Sequence, residues 1–458
     1  MFQKHISHFE PPNSNWNIVE DSLIYRHVKE KEEKIYKKIF SFDLDNTLIL
    51  SRTFFKPAQN EHDYIFYSDI IDFLKKKRSE NYKIIIFSNQ KGVSTGKISL
   101  RNVINRVDDV IDKIGIPLEC YLALKNDKYR KPRTGMFNFA KQNNKCEIEE
   151  IIYVGDNANR IYDDNFKVKF INHLRYIYNK NNVNVNINEI AKRLQKDYTD
   201  TDLKFALNIN ATFYTPEELF LNIKNNLTVD FSFKPMNLYK NMEIKNEGEK
   251  ENEQNLFLHL VRQNMEDTYS TYNESTISIN NKDNKNPQTL LQNKEQKLII
   301  LIGAPGCGKT FLCENYFLGY TNINLDELKK RNKCINMLKN GIIQGKNVVI
   351  DGANIYAKNR LTYINEAKKI NSNLKVNAIF FKYSKDLIFH LNTFKLITDK
   401  SKKMIDIPTV GIHSFYKYVE EPTANENFEK VIILNDENFV PTNFKNEEEK
   451  KLFFSYLY

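Results

Sequence analysis

The sequence predicts an α/β protein of two domains, each a mostly parallel sheet flanked by helices. Apolar runs of strand length alternate with helical periodicity over residues 37–240 and again over 296–458. A polar stretch, residues 241–295, divides the two blocks. Carboxylates, hydroxyls and glycines stand just past the apolar runs, where ligands bind in sheets of this kind.

Residues 1–36 are polar and run into the charged KEKEEKIYKK, so they read as a solvated amino-terminal extension. Fewer than 40 residues precede the first expected strand. KIFSFDLD, YKIIIFSN and EIIYVGD are expected strands, and IIDFLKKKRSE is an expected helix. Residues 241–295, Asn/Lys/Glu-rich with little periodicity, read as a linker or disordered insertion, with LFLHLVRQ as a short helix at most. KLIILIG, NVVIDGAN and KVNAIFFKY are the expected strands of the second block.

Composition sets the outer bounds. The 458 residues are 41% apolar and 28% charged, and the net charge of +10 suits a polyanionic partner. Five cysteines without a CxxC pair or a Cys/His cluster predict neither a disulfide framework nor a zinc site. No run approaches the ~20 apolar residues of a membrane span, so no membrane is expected among the partners.

In FSFDLDNTLIL, Asp43 and Asp45 stand at the end of a buried strand. A buried carboxylate costs several kcal/mol unless it is paired or metal-bound. Three other stretches supply what such a pair needs. Ser88 ends the second strand in FSNQKGV, Lys131 is presented in YRKPRTGM, and Asp156 ends another strand in YVGDNANR. These residues fit phosphoryl transfer to an aspartate. Asp43 attacks phosphorus, Asp43 and Asp156 hold Mg2+, and Ser88 and Lys131 bind the phosphoryl oxygens. Asp45 protonates the leaving oxygen and then activates water. It is counted with Asp43, Asp156 and Thr310 among the metal-binding residues.

LIGAPGCGKTF, residues 301–311, matches G-x-x-x-x-G-K-[ST] after an apolar strand. Chance would produce such a string in under about one chain in a hundred. Gly303, Gly306 and Gly308 let backbone N–H groups turn toward the phosphates of ATP. Lys309 reaches the terminal phosphates and Thr310 ligates Mg2+. Asp326 in NINLDELKK is placed to take a proton from an attacking hydroxyl, and Asp351 in NVVIDGAN to organise the metal. Cys307 reads as a small residue within the loop.

DxDxT, hydrophobic-Ser, Lys-Pro and GD in this order resemble the haloacid dehalogenase phosphatase superfamily, with Asn46 where that superfamily often has Gly. The pairing with a P-loop block resembles the bifunctional polynucleotide kinase 3'-phosphatases. DLKFALNINATFYTPEELF, INLDEL, QGKNVVIDGAN and EEPTANENF extend the likeness. The resemblance implies a haloacid-dehalogenase-like Rossmannoid phosphatase followed by a P-loop kinase, both using Mg2+. Asp43, Asp45, Ser88, Lys131 and Asp156 would form the 3'-phosphatase site. Lys309, Thr310, Asp326 and Asp351 would form the 5'-hydroxyl kinase site.

Such an enzyme prepares DNA ends for ligation, which implies repair ligases or scaffolds as partners, a monomer, and the nucleus or a DNA-containing organelle. Two departures bear on the kinase half. Leu325 stands where the family usually has Arg, and the lid segment LNTFKLITDK leaves Lys395 as its nearest cation. Lys329, Arg331 and Arg360 are the nearby cations that would compensate. RNA end repair, or a phosphatase whose weakened kinase half binds ends, are the alternatives.

Overall fold

The computed structural model describes residues 13–27, 35–142, 144, 147–224, 231–239, 295–399, 407–437, 439, 441 and 444–458. The expected linker, residues 241–295, lies almost wholly outside them, as does LFLHLVRQ. Two compact units are present. One comprises Met1–Phe231 with Ser455–Tyr458, and the other Ser232–Phe454.

The first unit is built on strands β1 (Trp16–Val19), β2 (Leu23–Arg26), β3 (Lys38–Phe42), β4 (Ile49–Ser51) and β5 (Tyr64–Phe66). Strands β6 (Tyr82–Asn89), β7 (Glu119–Ala123), β8 (Glu150–Val154) and β9 (Thr212–Tyr214) complete it. Its helices are α1 (Ile70–Ser79), α2 (Leu100–Ile114), α3 (Gly135–Gln142) and α4 (Asp164–Lys180), then α5 (Ile187–Arg193), α6 (Thr201–Asn208) and α7 (Pro216–Leu221).

The main sheet has the order β1-β2-β7-β6-β3-β8-β9, and β4 pairs with β5 apart from it. From β7 to β9 the strands are parallel; β1 and β2 are antiparallel additions at one edge. Both faces are covered, which is why the strands read as continuous apolar runs. Along β6, Ile84 and Ile86 join the core on one face, and Ile85 and Phe87 the core on the other.

Residues 1–36 are not all lead-in, because Trp16–Arg26 forms the β1–β2 hairpin. Its Trp16, Leu23 and Ile24 are buried, whereas the neighbouring polar residues hid the pattern. Beyond β8, α4 and α5 pack as a pair. Phe166, Phe170, Leu174 and Ile177 on α4, with Ile190 on α5, supply the apolar face of that pair. Asn186 caps α5 by accepting from the Glu189 N–H.

The second unit contains β10 (Lys297–Gly303), β11 (Thr321–Asn324), β12 (Val348–Asp351), β13 (Lys375–Phe381) and β14 (Lys430–Leu434). Its helices are α8 (Lys309–Tyr316), α9 (Leu325–Leu328), α10 (Arg331–Ile343) and α11 (Ala357–Lys368), followed by α12 (Lys385–Thr398), α13 (Thr409–Tyr418) and α14 (Glu447–Phe453). The sheet order is β11-β12-β10-β13-β14, with every pairing parallel. Strand β10 is buried along its whole length, as KLIILIG predicts. Among the described residues, no helix is long and apolar enough to cross a membrane.

Candidate active sites

The sheet order explains the first site. Strand β3 lies between β6 and β8, so the chain just past β3 is flanked by the ends of both neighbours. Asp43 follows β3, and its N–H donates to the Val154 carbonyl at 2.8 Å. Asn46 then takes the left-handed conformation expected of it, with φ of 59°, and its N–H donates to Ile49 O at 2.7 Å. That turn keeps the two aspartates at the carboxyl end of the sheet.

Lys131 is the hub of the site and is buried. Its Nζ donates to Asp43 Oδ1 at 2.6 Å, to Asp202 Oδ1 at 2.7 Å and to the Tyr153 hydroxyl at 2.7 Å. Its backbone is clasped by Asn89, whose Oδ1 accepts the Lys131 N–H at 2.9 Å while its Nδ2 donates to the Lys131 carbonyl at 3.1 Å. Burial works against the charge on Lys131, but Asp202 and Asp43 outweigh it and raise the ammonium pKa.

Carboxylate oxygens of Asp43, Asp156 and Asp202 lie within 4.8 Å of one another. Burial, opposed by Lys131, pushes Asp43 up to about 7. Asp156 is held well above its ordinary value by burial and by Asp202 and Asp43 beside it. Such a cluster is an oxygen-only donor set crowded with negative charge, and it fits a hard divalent cation.

Asp202 was not identified from the sequence, although it opens the quoted DLKFALN stretch. It approaches from α6, packed so closely that a Cβ on Gly155 would lie 2.5 Å from its Cβ. The GD motif therefore requires its glycine. Asp45 stands apart from the three-carboxylate cluster. Its carboxylate faces Arg106 Nη1 at 3.3 Å and accepts from Gln90 Nε2 at 2.8 Å. The same Gln90 amide donates to Ser88 Oγ at 3.0 Å, so Ser88, Gln90 and Asp45 form one chain of contacts.

In the second unit β10 lies between β12 and β13, and the glycine-rich loop follows it. Gly306 and Gly308 have φ of 82° and 99°, conformations that exact glycine's freedom. A Cβ on Gly303 would sit 2.5 Å from Cys307 Sγ. Lys309 Nζ donates to the carbonyls of Gly303 at 3.0 Å and Ala304 at 2.8 Å. Thr310 Oγ1 donates to Asp351 Oδ2 at 2.9 Å, and Asn324 Nδ2 reaches the same oxygen at 3.1 Å. Asn324 Oδ1 in turn accepts the Asp326 N–H at 2.9 Å and so links the two aspartates. Burial raises Asp351.

A cavity of about 250 Å³ brings Lys309 and Asp326 together with Leu325, Arg331 and Tyr356. Lys395 is exposed on α12 and does not line that cavity. Arg331 does line it and donates to Asn359 Oδ1 at 2.6 Å. Arg360 is fully buried, paired through two nitrogens with Glu426 at 2.6 and 2.7 Å, and serves the fold. Cys307 is buried, and burial raises its thiol pKa, the environment of an inert cysteine.

The family model described as Polynucleotide kinase 3 phosphatase matches residues 38–220. A protein of Schizosaccharomyces pombe named bifunctional polynucleotide phosphatase/kinase is 28% identical over 421 residues, spanning 91% of this chain and 83% of its own length. One from Acanthamoeba polyphaga mimivirus, provisionally given the same name, is 30% identical over 413 residues, spanning 86% of this chain and 83% of its own. A polynucleotide 3'-phosphatase of Arabidopsis thaliana is 24% identical over 203 residues, 40% of this chain and 24% of its own. With both catalytic halves spanned by these relatives, the chain belongs to the family of bifunctional polynucleotide phosphatase/kinases.

Proposed function

We propose that this chain removes 3'-phosphates from DNA ends and phosphorylates 5'-hydroxyl ends with ATP, making strand breaks ligatable. The observation that carries the first activity is Lys131 held between Asp43 and Asp202 beside a three-carboxylate cluster. In this reading Asp43 is the nucleophile and forms an aspartyl-phosphate. Lys131 neutralises the phosphoryl oxygens, and Ser88 donates a hydrogen bond to them. Asp45 gives its proton to the leaving 3'-oxygen and afterwards takes one from the attacking water. Asp43, Asp156 and Asp202 would hold Mg2+, which supplies positive charge against anion–anion repulsion.

For the kinase, Gly303, Gly306, Gly308 and Lys309 bind the phosphates of ATP, and Thr310 and Asp351 would hold its Mg2+. Asp326 takes the proton of the 5'-hydroxyl within the cavity it shares with Lys309. Arg331 in that cavity stands in for the arginine absent at Leu325, and Lys395 supplies a cation from α12. The +10 charge supports a polyanionic substrate. The reading places the enzyme with repair ligases or scaffolds, acting as a monomer in the nucleus or a DNA-containing organelle. The domain limits proposed are residues 37–231 with the β1–β2 hairpin and Ser455–Tyr458 for the phosphatase, and 296–454 for the kinase.

The test is a nicked duplex carrying 3'-phosphate and 5'-hydroxyl ends, supplied with Mg2+ and ATP. Asp43→Asn should abolish 3'-phosphate loss alone, and Lys309→Ala should abolish 5'-phosphorylation alone. Phosphatase product without kinase product in the unaltered protein would reduce the second half to a nucleotide-binding module. Faster turnover of the corresponding RNA ends would assign the enzyme to RNA repair.

A further inference from the structure

The last residues of the chain, Ser455–Tyr458, belong to the first compact unit, although the helix before them, α14, belongs to the second. Their contacts concentrate on two segments that carry the phosphatase site. Arg133, two residues past Lys131 and buried, donates from Nε to Leu457 O at 2.9 Å. Asn208, at the end of α6, accepts the Tyr456 N–H at 2.8 Å and donates to the Tyr456 carbonyl at 2.7 Å. The same Asn208 amide donates to Pro132 O at 2.8 Å.

Lys204 of α6 donates to Tyr458 O at 3.0 Å, and its ammonium lies 5.7 Å from the Tyr456 ring centroid and 4.9 Å from that of Tyr458. Leu457 is fully buried. One short segment is therefore tied both to the loop that presents Lys131 and to the helix that presents Asp202.

We propose that Ser455–Tyr458 is a positioning element of the phosphatase site, lacing the Lys131 loop to α6 so that Lys131 and Asp202 keep their register. Neither Tyr456 nor Leu457 touches the reacting groups; they act through Pro132, Arg133 and α6. Asn89 clasps the Lys131 backbone from one side, and the tail with Asn208 secures the following residues from the other. The inference rests on reading Asp43, Lys131 and Asp202 as the phosphatase site. It adds that the site is incomplete without a segment more than 200 residues away in sequence.

Two full-length variants test it, Asn208→Leu and deletion of Ser455–Tyr458. Each is compared with the unaltered protein in 3'-phosphate release, in ATP-dependent 5'-labelling, and in amide hydrogen exchange over residues 128–135 and 201–208. The expected result is faster exchange in both segments. Phosphatase kcat should fall by about tenfold to a hundredfold with KM little changed, since a small misplacement of a catalytic group costs that much. Kinase activity should be retained. Unchanged exchange in Asn208→Leu overturns the proposal, as does faster exchange with unchanged phosphatase kcat. Should the deletion also lose kinase activity through misfolding, Asn208→Leu decides alone. Asp43→Asn run in parallel separates the two readings. If it retains phosphatase activity, the assignment of the site fails, while the exchange data still decide whether the tail braces the loop.

Discussion

Asp202 shows how a single residue sets the chemistry of the first site. It accepts from Lys131 and from the Tyr153 hydroxyl through Oδ1, and from the Asn157 N–H at 3.1 Å through Oδ2. Asp202→Asn keeps the volume and removes the charge that balances Lys131. The expected outcome is a loss of phosphatase kcat of about 10²-fold or more, with kinase kcat unchanged, read on separate end-labelled oligonucleotides.

Asp43 couples the same site to pH. Burial lifts its pKa from 3.8 to about 7 against the opposing charge of Lys131, so between those values the folded state holds a proton that the unfolded chain has released. This group's contribution to stability is therefore present at acid pH and lost as pH rises through about 7. A divalent cation needs the ionised carboxylate and displaces that proton. The gain in melting temperature of the first unit on adding Mg2+ should grow from about pH 6 to about pH 8. Asp202→Asn should flatten that dependence, as differential scanning calorimetry of the two proteins would show.

Most strands that carry chemistry were legible, whereas the edge strands and the interior β7 were not. Strands β6, β8, β10, β12 and β13 each hold a continuous apolar run, and β3 one broken only by the buried Ser41, because both faces of a parallel sheet are covered. Strands β7 and β14 were missed although ECYLA and KVIIL are largely apolar, and the other missed strands are short or polar. TNIN of β11 and TFY of β9 carry too few apolar residues to show a period, and they become strands only because a neighbour supplies their hydrogen bonds.

The loop after β10 was readable in spacing but not in its surroundings. A Cβ on Gly306 would lie 1.7 Å from Asn392 Oδ1 on α12, and the φ of 82° disfavours any other residue. Asn392 also donates to Pro305 O at 3.2 Å, so α12 seats directly on the loop. Gly306→Ala must turn the Asn392 side chain off the loop or shift the loop, and it strains the backbone at that φ. KM for ATP should rise by about tenfold or more in the labelling assay, with 3'-phosphate release unaffected.

For the whole molecule, two compact units with separate cores predict that structural lesions stay where they are made. Arg360 lies buried against Glu426 and the carbonyls of Asn354, Ile355 and Glu420. Arg360→Met leaves a buried, unpaired carboxylate, a change that costs about 3–5 kcal/mol. Kinase activity should fail at a lower temperature than in the unaltered protein, while the phosphatase keeps its thermal profile. Coincident loss of both activities would mean that the units unfold as one.

The fold class, the order of the two catalytic halves and the residues at the strand ends were all readable along the chain. Those features are local: a strand period, a tight turn and a glycine spacing are each satisfied within a few residues of chain. Which distant groups complete the sites depends instead on how the chain packs. Asp202 lies 71 residues from the Lys131 it pairs with, and Tyr456 lies 248 from the Asn208 that clasps it. Arg360 looked available to substrate, yet the packing of α11 turns it inward to Glu426. Spacing along the chain carries no record of such pairings. They arise where sheet order and helix packing close the gap, and where burial makes an unpartnered charge too costly to leave.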